Sequence, residues 1–567
     1  MALDIAAAAT LQKAQLDRLS SSVVRIAGFG GMAPRMEAHV LPLGMAQEAI
    51  NCKFQAGSLD AFYAPELIGS TTNGKTADFY HFVTSDGVEH VAGFDHPTDV
   101  VRAPLINDAY DRIYYTNKYG AYITTRTGLA AGNVPAAVLG VPAPDVASFA
   151  VTASGGTTAT ATTRVYVLTQ QSPYGEESAP TATKLVTGNG DGTWTITGLN
   201  SYVQPGSGYQ TMETLNVYRS VTTNTGAALF KVAAFPINSL PTTYTDAMTD
   251  DVASEQLQLI SGVWNVPPTG LNGLLSHPSG FLVGFVGRTV YFSVPYYPHA
   301  WPDSYQLAVE DDIVGLGLVN STIVVCTKGR PYRIFGTTPG QLSLQKLSMS
   351  IPCLSKRGIV SMGSAVYFPT YDGLMAISEQ EAGIATAAFM TRDQWHADYA
   401  PGSLVADTYE GRYYGFYGPN NGFIFDPSDA HTGWSLIEYN NVANVRQSYV
   451  SGQLLLLVGS SAYQWDSDVT KKLNYTWHSS KMLFKHPTNM GVLQLRGDFG
   501  RSAFPQPVSY DLWADDTVRA SYTVGSENAV RLPAGYKAAT YELVLTGRQQ
   551  IYSAVLASTA NQLARVA

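Results

Sequence analysis

A β-hairpin returns at nearly even intervals through the second half of the chain. Its clearest copy is Phe281-Leu282-Val283-Gly284-Phe285-Val286, a turn at Gly287-Arg288, and Thr289-Val290-Tyr291-Phe292-Ser293. β-Branched and aromatic residues bounded by Gly are the mark of paired strands. Four more copies follow: Thr322 to Phe335, Ala365 to Ile377, Tyr413 to Phe425 and Leu454 to Trp465. Their turn glycines Gly287, Gly329, Gly373, Gly422 and Gly459 lie 42, 44, 49 and 37 residues apart. Each hairpin has an apolar strand before it, such as Ile313-Val314-Gly315-Leu316. Several have one after it, such as Leu342-Ser343-Leu344. Four strands in roughly 40–45 residues is the unit of a β-propeller, in which each sheet buries both faces against its neighbours. Two earlier hairpins, Tyr80 to Ala92 and Arg112 to Thr125, are expected to complete the ring, so that distant parts of the chain close it.

Between these two groups the pattern breaks. Residues 131–265 carry strands such as Arg164 to Thr169, Trp194 to Thr197 and Thr214 to Arg219, after a Thr/Ala/Gly run from Thr152 to Thr163 that reads as a linker running into an edge strand. The run Gly175-Glu176-Glu177-Ser178-Ala179-Pro180 resembles the turn of a fibronectin type III domain, which implies an inserted β-sandwich. The expected fold is all-β, with five parts. Residues 1–75 are a short N-terminal helix (over residues 1–22) and an extended connector. Residues 76–130 are the first propeller hairpins, 131–265 the sandwich, 266–478 the main propeller sheets, and 479–567 a C-terminal β-sandwich.

Few motifs point to chemistry. The chain of 567 residues has a formal net charge of −9, which argues against binding nucleic acid by neutralising phosphates. Cys52, Cys326 and Cys353 have neither metal-ligand nor redox spacing, so no disulfide framework is expected. The Gly28-Phe29-Gly30-Gly31 piece lacks the Gly-Lys-Ser/Thr of a phosphate loop. No stretch is long and apolar enough to span a membrane, and Ala6 to Ala9 lacks the basic start of a signal peptide. The histidines are scattered, and no nucleophile elbow occurs. Propellers that cleave glycans place two carboxylates across a sugar, and Asp372, Asp407 and Asp426 are the candidates at sheet ends. The repeated Asp-box of sialidase propellers is absent apart from a distant Gly192-Thr193-Trp194. The aromatic run Pro295 to Pro302 could stack on sugars or pack between sheets. No catalytic, cofactor-binding or metal residue is therefore assigned, and no cofactor is expected.

Several runs together resemble a known family. They are Gly280 to Ser293 with Pro298-His299-Ala300-Trp301-Pro302, then Pro352-Cys353-Leu354-Ser355-Lys356-Arg357-Gly358, and Tyr371-Asp372-Gly373-Leu374. Near the N-terminus, Gly31-Met32-Ala33-Pro34-Arg35 and Ala46-Gln47-Glu48-Ala49-Ile50-Asn51 fit the same group. The pattern resembles the tail nozzle, or tail tubular protein B, of short-tailed bacteriophages. The resemblance implies a structural virion protein, not an enzyme, of which six copies ring the channel through which phage DNA leaves. Its implied partners are further copies of itself, the portal adaptor, tail fibres or spikes, and passing DNA. Its implied place is the virion tail, after assembly in the host cytoplasm. A peripheral fibre or receptor-binding protein, and a glycan-cleaving propeller, are the alternatives.

Overall fold

The computed structural model describes residues 22–132, 136–157, 161–206, 208–223, 226–429, 433–499 and 507–566. The helix expected over residues 1–22 lies outside them, save Ser22.

The fold is almost entirely β, and its centre is a propeller-like ring. Among the described residues, seven sheets surround one axis. Their innermost strands follow one another as Asp99–Arg102, Asn272–Ser276, Ile313–Val319, Val360–Ser361, Val405–Tyr409, Val442–Gln447 and Asp78–Val83. Six of these strands start an antiparallel run of four. The seventh, Asp78–Val83, pairs with Glu89–Phe94 alone.

Position in a sheet explains the apolar patterns. The second strand of a sheet is covered on both faces, so it reads as a continuous apolar run. Thr322–Thr327 is buried at every residue, and so are the four leucines of Leu454–Val458. An innermost strand has one face on the next sheet and one on the axis, so Ile313–Val319 alternates strictly. Its glycines let the next sheet approach: a Cβ on Gly317 would stand 2.5 Å from Val366 on the second strand of that sheet.

The recurring hairpins form where the sequence places them. One turn differs. Gly422 is not a turn residue but pairs with Phe416 and Ile437 inside a strand. The positive φ of that turn belongs to Gly418. Gly422 is needed for closeness instead, since a Cβ there would stand 2.9 Å from the Gly415 carbonyl oxygen.

The extended connector expected before residue 75 is corrected by the structure. That segment holds strands Val23–Ile26, Ala46–Ile50, Cys52–Gln55, Ser58–Ala61 and Tyr63–Ser70. Tyr63–Ser70 is the outermost strand of the last ring sheet, lying beside Ser461–Lys472. It closes the ring with residues from the far end of the chain. Ala46–Ile50 joins Trp434–Glu438 to Tyr475–Ser479, and so fuses a ring sheet to the C-terminal region in one ten-stranded sheet. Val23–Ile26 and Ser58–Ala61 pair with Ile551–Ala557 in the facing sheet. Between these two sheets lie Trp477, Leu493, Leu512, Leu543, Leu545 and Leu556. Cys52–Gln55 and Ser58–Ala61 pair with each other as a local hairpin, but the other strands find their partners hundreds of residues away, so no local pattern announces those.

Beside the short pair Asp145–Val146/Tyr202–Val203, the segment within 131–265 forms two larger sheets. One is Ala150–Ser154, Thr193–Thr197 and Thr243–Asp246. The other is Lys184–Asn189, Ala161–Gln171, Thr214–Thr223 and Gly226–Pro236. Tyr166, Leu168, Trp194, Ile196, Leu215 and Val217 fill the space between them. The run from Thr152 to Thr163, expected as a linker running into an edge strand, has its ends in the strands Ala150–Ser154 and Ala161–Gln171.

Candidate functional site: the axial cavity

The innermost strands enclose a cavity of about 570 Å³ on the ring axis. Charged side chains from five of the seven sheets meet there. Asp78 is fully buried. It receives Arg446 Nε at 2.8 Å and Nη2 at 2.9 Å, the backbone N–H of Thr98 at 2.7 Å and that of Phe79 at 2.8 Å. Arg357 Nη2 lies 2.5 Å from the same carboxylate. Asp99 faces Lys356 Nζ at 2.5 Å and Arg357 Nη1 at 3.4 Å. Lys356 also donates to Asn272 Oδ1 at 2.8 Å. Lys356 and Arg357 sit in a short turn before Val360–Ser361 and reach across to the strands that start at Asp78 and Asp99. The lattice therefore closes the axis from side to side.

Burial alone would push Asp99 up, but Lys356 and Arg357 together hold it below the usual carboxylate value. Asp407, also on the axis, is raised by burial, although the N–H groups of Gln447 and Thr408 bond it at 2.7 Å each.

The three carboxylates considered for glycan cleavage are not brought together. Asp407 lines the axial cavity. Asp426 lines a second cavity of about 270 Å³, where it accepts from Arg412 Nε at 2.9 Å. Asp372 lines neither cavity and pairs with Arg392 at 3.0 Å on the surface.

One constellation has the order of a hydrolytic triad. Ser448 Oγ lies 2.7 Å from His81 Nδ1, and His81 Nε2 lies 3.4 Å from Glu89 Oε2. Yet Ser448 Oγ already accepts the N–H groups of Val450 at 3.1 Å and Ser451 at 3.2 Å. Both lone pairs are engaged in holding a turn, so the oxygen has none to offer an electrophile. Among the described residues, no three His, Cys, Asp or Glu side chains group as metal ligands. The three cysteines are buried free thiols.

A second buried ion cluster joins the insertion to the ring. Arg112 donates to Glu176 Oε1 at 2.8 Å and, through Nε and Nη2, to both oxygens of Asp108 at 3.0 Å. His299 Nε2 donates to the Glu177 carbonyl at 3.1 Å. Burial pushes His299 down to about 3. Tyr297 packs against Trp264 with ring centres 4.3 Å apart. Two sequence runs, Gly175 to Pro180 and Pro295 to Pro302, thus meet at one joint.

Sequence reading marked Lys356 and Arg357 only as part of a resemblance, and missed Asp78, Asp99 and Arg446. These are single charges in separate strands, with no spacing to join them. A charged residue inside an otherwise apolar strand, as in Asp78-Phe79-Tyr80, was the available signal.

Strand order and axis together define a propeller-like all-β protein whose axial cavity is crossed by ion pairs. No family model and no curated protein matches the chain. Among solved structures it is similar to BamB from Moraxella catarrhalis, at 11% identity and a TM-score of 0.25, over 65% of this chain and 96% of that one. It is similar to the AfRom2 CNH domain at 10% identity and a TM-score of 0.24, over 61% and 93%. Myxococcus xanthus glutaminyl cyclase matches at 11% identity and a TM-score of 0.21, over 34% and 89%. The ring is defined by its own strand order rather than by these likenesses.

Proposed function

We propose that this chain is a structural subunit of a bacteriophage tail nozzle. Six copies form a ring around the channel for phage DNA, below the portal adaptor and beside the tail fibres or spikes. The subunit assembles in the host cytoplasm, ends in the virion tail and performs no catalysis. The observation that carries this reading is the position of Lys356 and Arg357. They belong to the run Pro352 to Gly358 on which the family resemblance rests, and they pair across the axis with Asp99 and Asp78. Cations held in this way stiffen a framework rather than receive a ligand. The formal charge of −9 suits a wall past which DNA slides without sticking.

The finer architecture belongs to the same proposal. We read the insertion as a fibronectin type III-like sandwich, supported by its three-stranded and four-stranded sheets around Trp194. We read residues 479–567, with the N-terminal strands added to them, as a C-terminal sandwich. Leu185 and Val203 on the insertion are 69% and 56% exposed, which favours a peripheral receptor-binding protein as the second reading. Electron microscopy of the purified protein and of virions separates the two. Six-fold rings on the tail axis are expected, and trimers at the tail periphery would replace the nozzle by the fibre.

A further inference from the structure

The sheet Asp78–Val83/Glu89–Phe94 is the two-stranded member of the ring. Its apolar sides are covered. Tyr80, Phe82 and Phe94 pack on Val100, Ile113 and Tyr115, while Phe79 and Val91 pack on Leu455 and Leu457. Toward the last ring sheet, two polar side-chain contacts add to this packing: the Asp78–Arg446 pair, and His81 Nδ1 with Ser448 Oγ at 2.7 Å.

The second contact fixes a tautomer. Both lone pairs of Ser448 Oγ are filled by the N–H groups of Val450 and Ser451. Only its O–H is left to meet the imidazole, so Nδ1 accepts and Nε2 carries the hydrogen toward Glu89 Oε2. A second proton can enter only at Nδ1. There it would face an oxygen with no lone pair to accept it.

The surroundings give that proton little support. On the neighbouring strand, Glu89 is the facing carboxylate, but its side chain is 60% exposed and strongly screened. His90 lies one residue further along, on the opposite face, stacked on Phe82. The turn that carries Ser448 supplies backbone N–H groups and no charge. Arg446, Arg357, Lys356 and Arg102 line the same cavity, with Asp99 and Asp407. Burial holds the His81 imidazole below its usual value, with Glu89 opposing in part.

We propose that the His81–Ser448 contact is an acid-sensitive latch, and that the two-stranded sheet is where the ring opens when His81 takes its second proton. The sign follows from the neutral ring being the bound form. The latch is intact above the ordinary imidazole range. It weakens as pH falls below that range toward the lowered value in the folded protein. Asp78 and Arg446 keep the start of the strand in place, so the opening is local.

Hydrogen exchange with mass spectrometry on the full chain, corrected for the intrinsic pH dependence of exchange, tests this. From about pH 7.5 to about pH 5, amides of Asp78–Phe94 should lose roughly tenfold or more in protection, while Thr322–Phe335 should not. In Ser448→Ala the protection of Asp78–Phe94 should already be low at the higher pH. In His81→Gln, which cannot take a charge, it should not depend on pH. Unchanged protection of the sheet in the wild-type chain at the lower pH would overturn the latch. So would the same acid-induced loss in His81→Gln. Should His81→Gln not fold, Ser448→Ala retaining wild-type protection at both pH values would overturn it equally.

Discussion

The axis of the ring and the joint of the insertion are both buried ion clusters, yet one carboxylate in each, Asp99 and Glu176, is pushed in opposite directions. At the axis, Lys356, Arg357 and Arg446 serve Asp78 and Asp99. At the joint, Arg112 alone serves Asp108 and Glu176. Burial opposes ionisation at both places. The cations beside Asp99 overcome it, and Asp99 is held below its usual value, whereas Asp407 on the same axis, bonded by backbone N–H groups, is raised. One cation for two carboxylates does not suffice. Burial wins at Glu176, which is raised although Arg112 opposes it. Asp108, which takes two side-chain bonds and the backbone N–H of Arg112, stays lowered despite burial. At Asp99 and Glu176 the outcome follows the number of cations beside the carboxylate, two at Asp99 and one at Glu176.

The sharpest test of the difference removes one member from each. Asp78→Ala leaves Arg446 and Arg357 buried without their shared anion. It should destabilise the chain by about 3–5 kcal/mol, the usual effect of breaking a buried pair. Urea or thermal unfolding followed by tryptophan fluorescence reads this. A loss well under 1 kcal/mol would mean that the lattice is not what holds the axis.

Arg112→Ala should come next in size. It strands Asp108, while Glu176, already raised, can take a proton at modest expense. A loss of about 2–3 kcal/mol is expected, confined to the joint. Limited proteolysis should release the insertion while the ring stays intact. Cleavage spread through the ring sheets would show that the joint is not a separate unit.

The two clusters also mark where sequence reading stops. The hairpins are legible because a strand, its turn and its partner lie within about 15 residues, and both faces of the second strand are apolar. Tyr63–Ser70 is invisible to that logic, because its partner Ser461–Lys472 lies almost 400 residues away and the pairing between them slips register three times. The same holds for the axis. Asp78, Asp99, Arg357 and Arg446 are neighbours only because three inner strands and the turn leading into a fourth converge. At the joint, both contributing runs were singled out, Gly175 to Pro180 and Pro295 to Pro302, but for other reasons. Their meeting depends on how the insertion sits on the ring. Asp372, Asp407 and Asp426 show the reverse case: similar positions at sheet ends, and three different surroundings.

pH separates the clusters further. Asp99 is lowered in the fold, so its stabilising effect is present above the unfolded carboxylate value and is lost as pH falls through the folded one. Asp99→Asn should therefore lower the melting temperature at neutral pH, by roughly 1–3 kcal/mol in stability, and by much less near pH 3. An equal loss at both pH values would place its effect in packing rather than charge.

Glu176→Gln is the smallest change and the most discriminating. Glu176 is raised, so the folded chain favours the neutral carboxyl, and holding the carboxylate is a cost that appears only above its unfolded value. The amide keeps an oxygen for the Arg112 Nη1 bond, and Asp108 keeps Arg112 paired. At neutral pH the variant should lie within about 1 kcal/mol of the parent, in either direction. Near pH 4 it should lose whatever advantage it has, because the parent then carries a neutral carboxyl as well. A large loss at neutral pH, restored by acid, would mean that Glu176 is ionised and essential. The joint would then be a second lattice of the axial kind, and the number of cations beside the carboxylate would no longer account for the difference between Asp99 and Glu176.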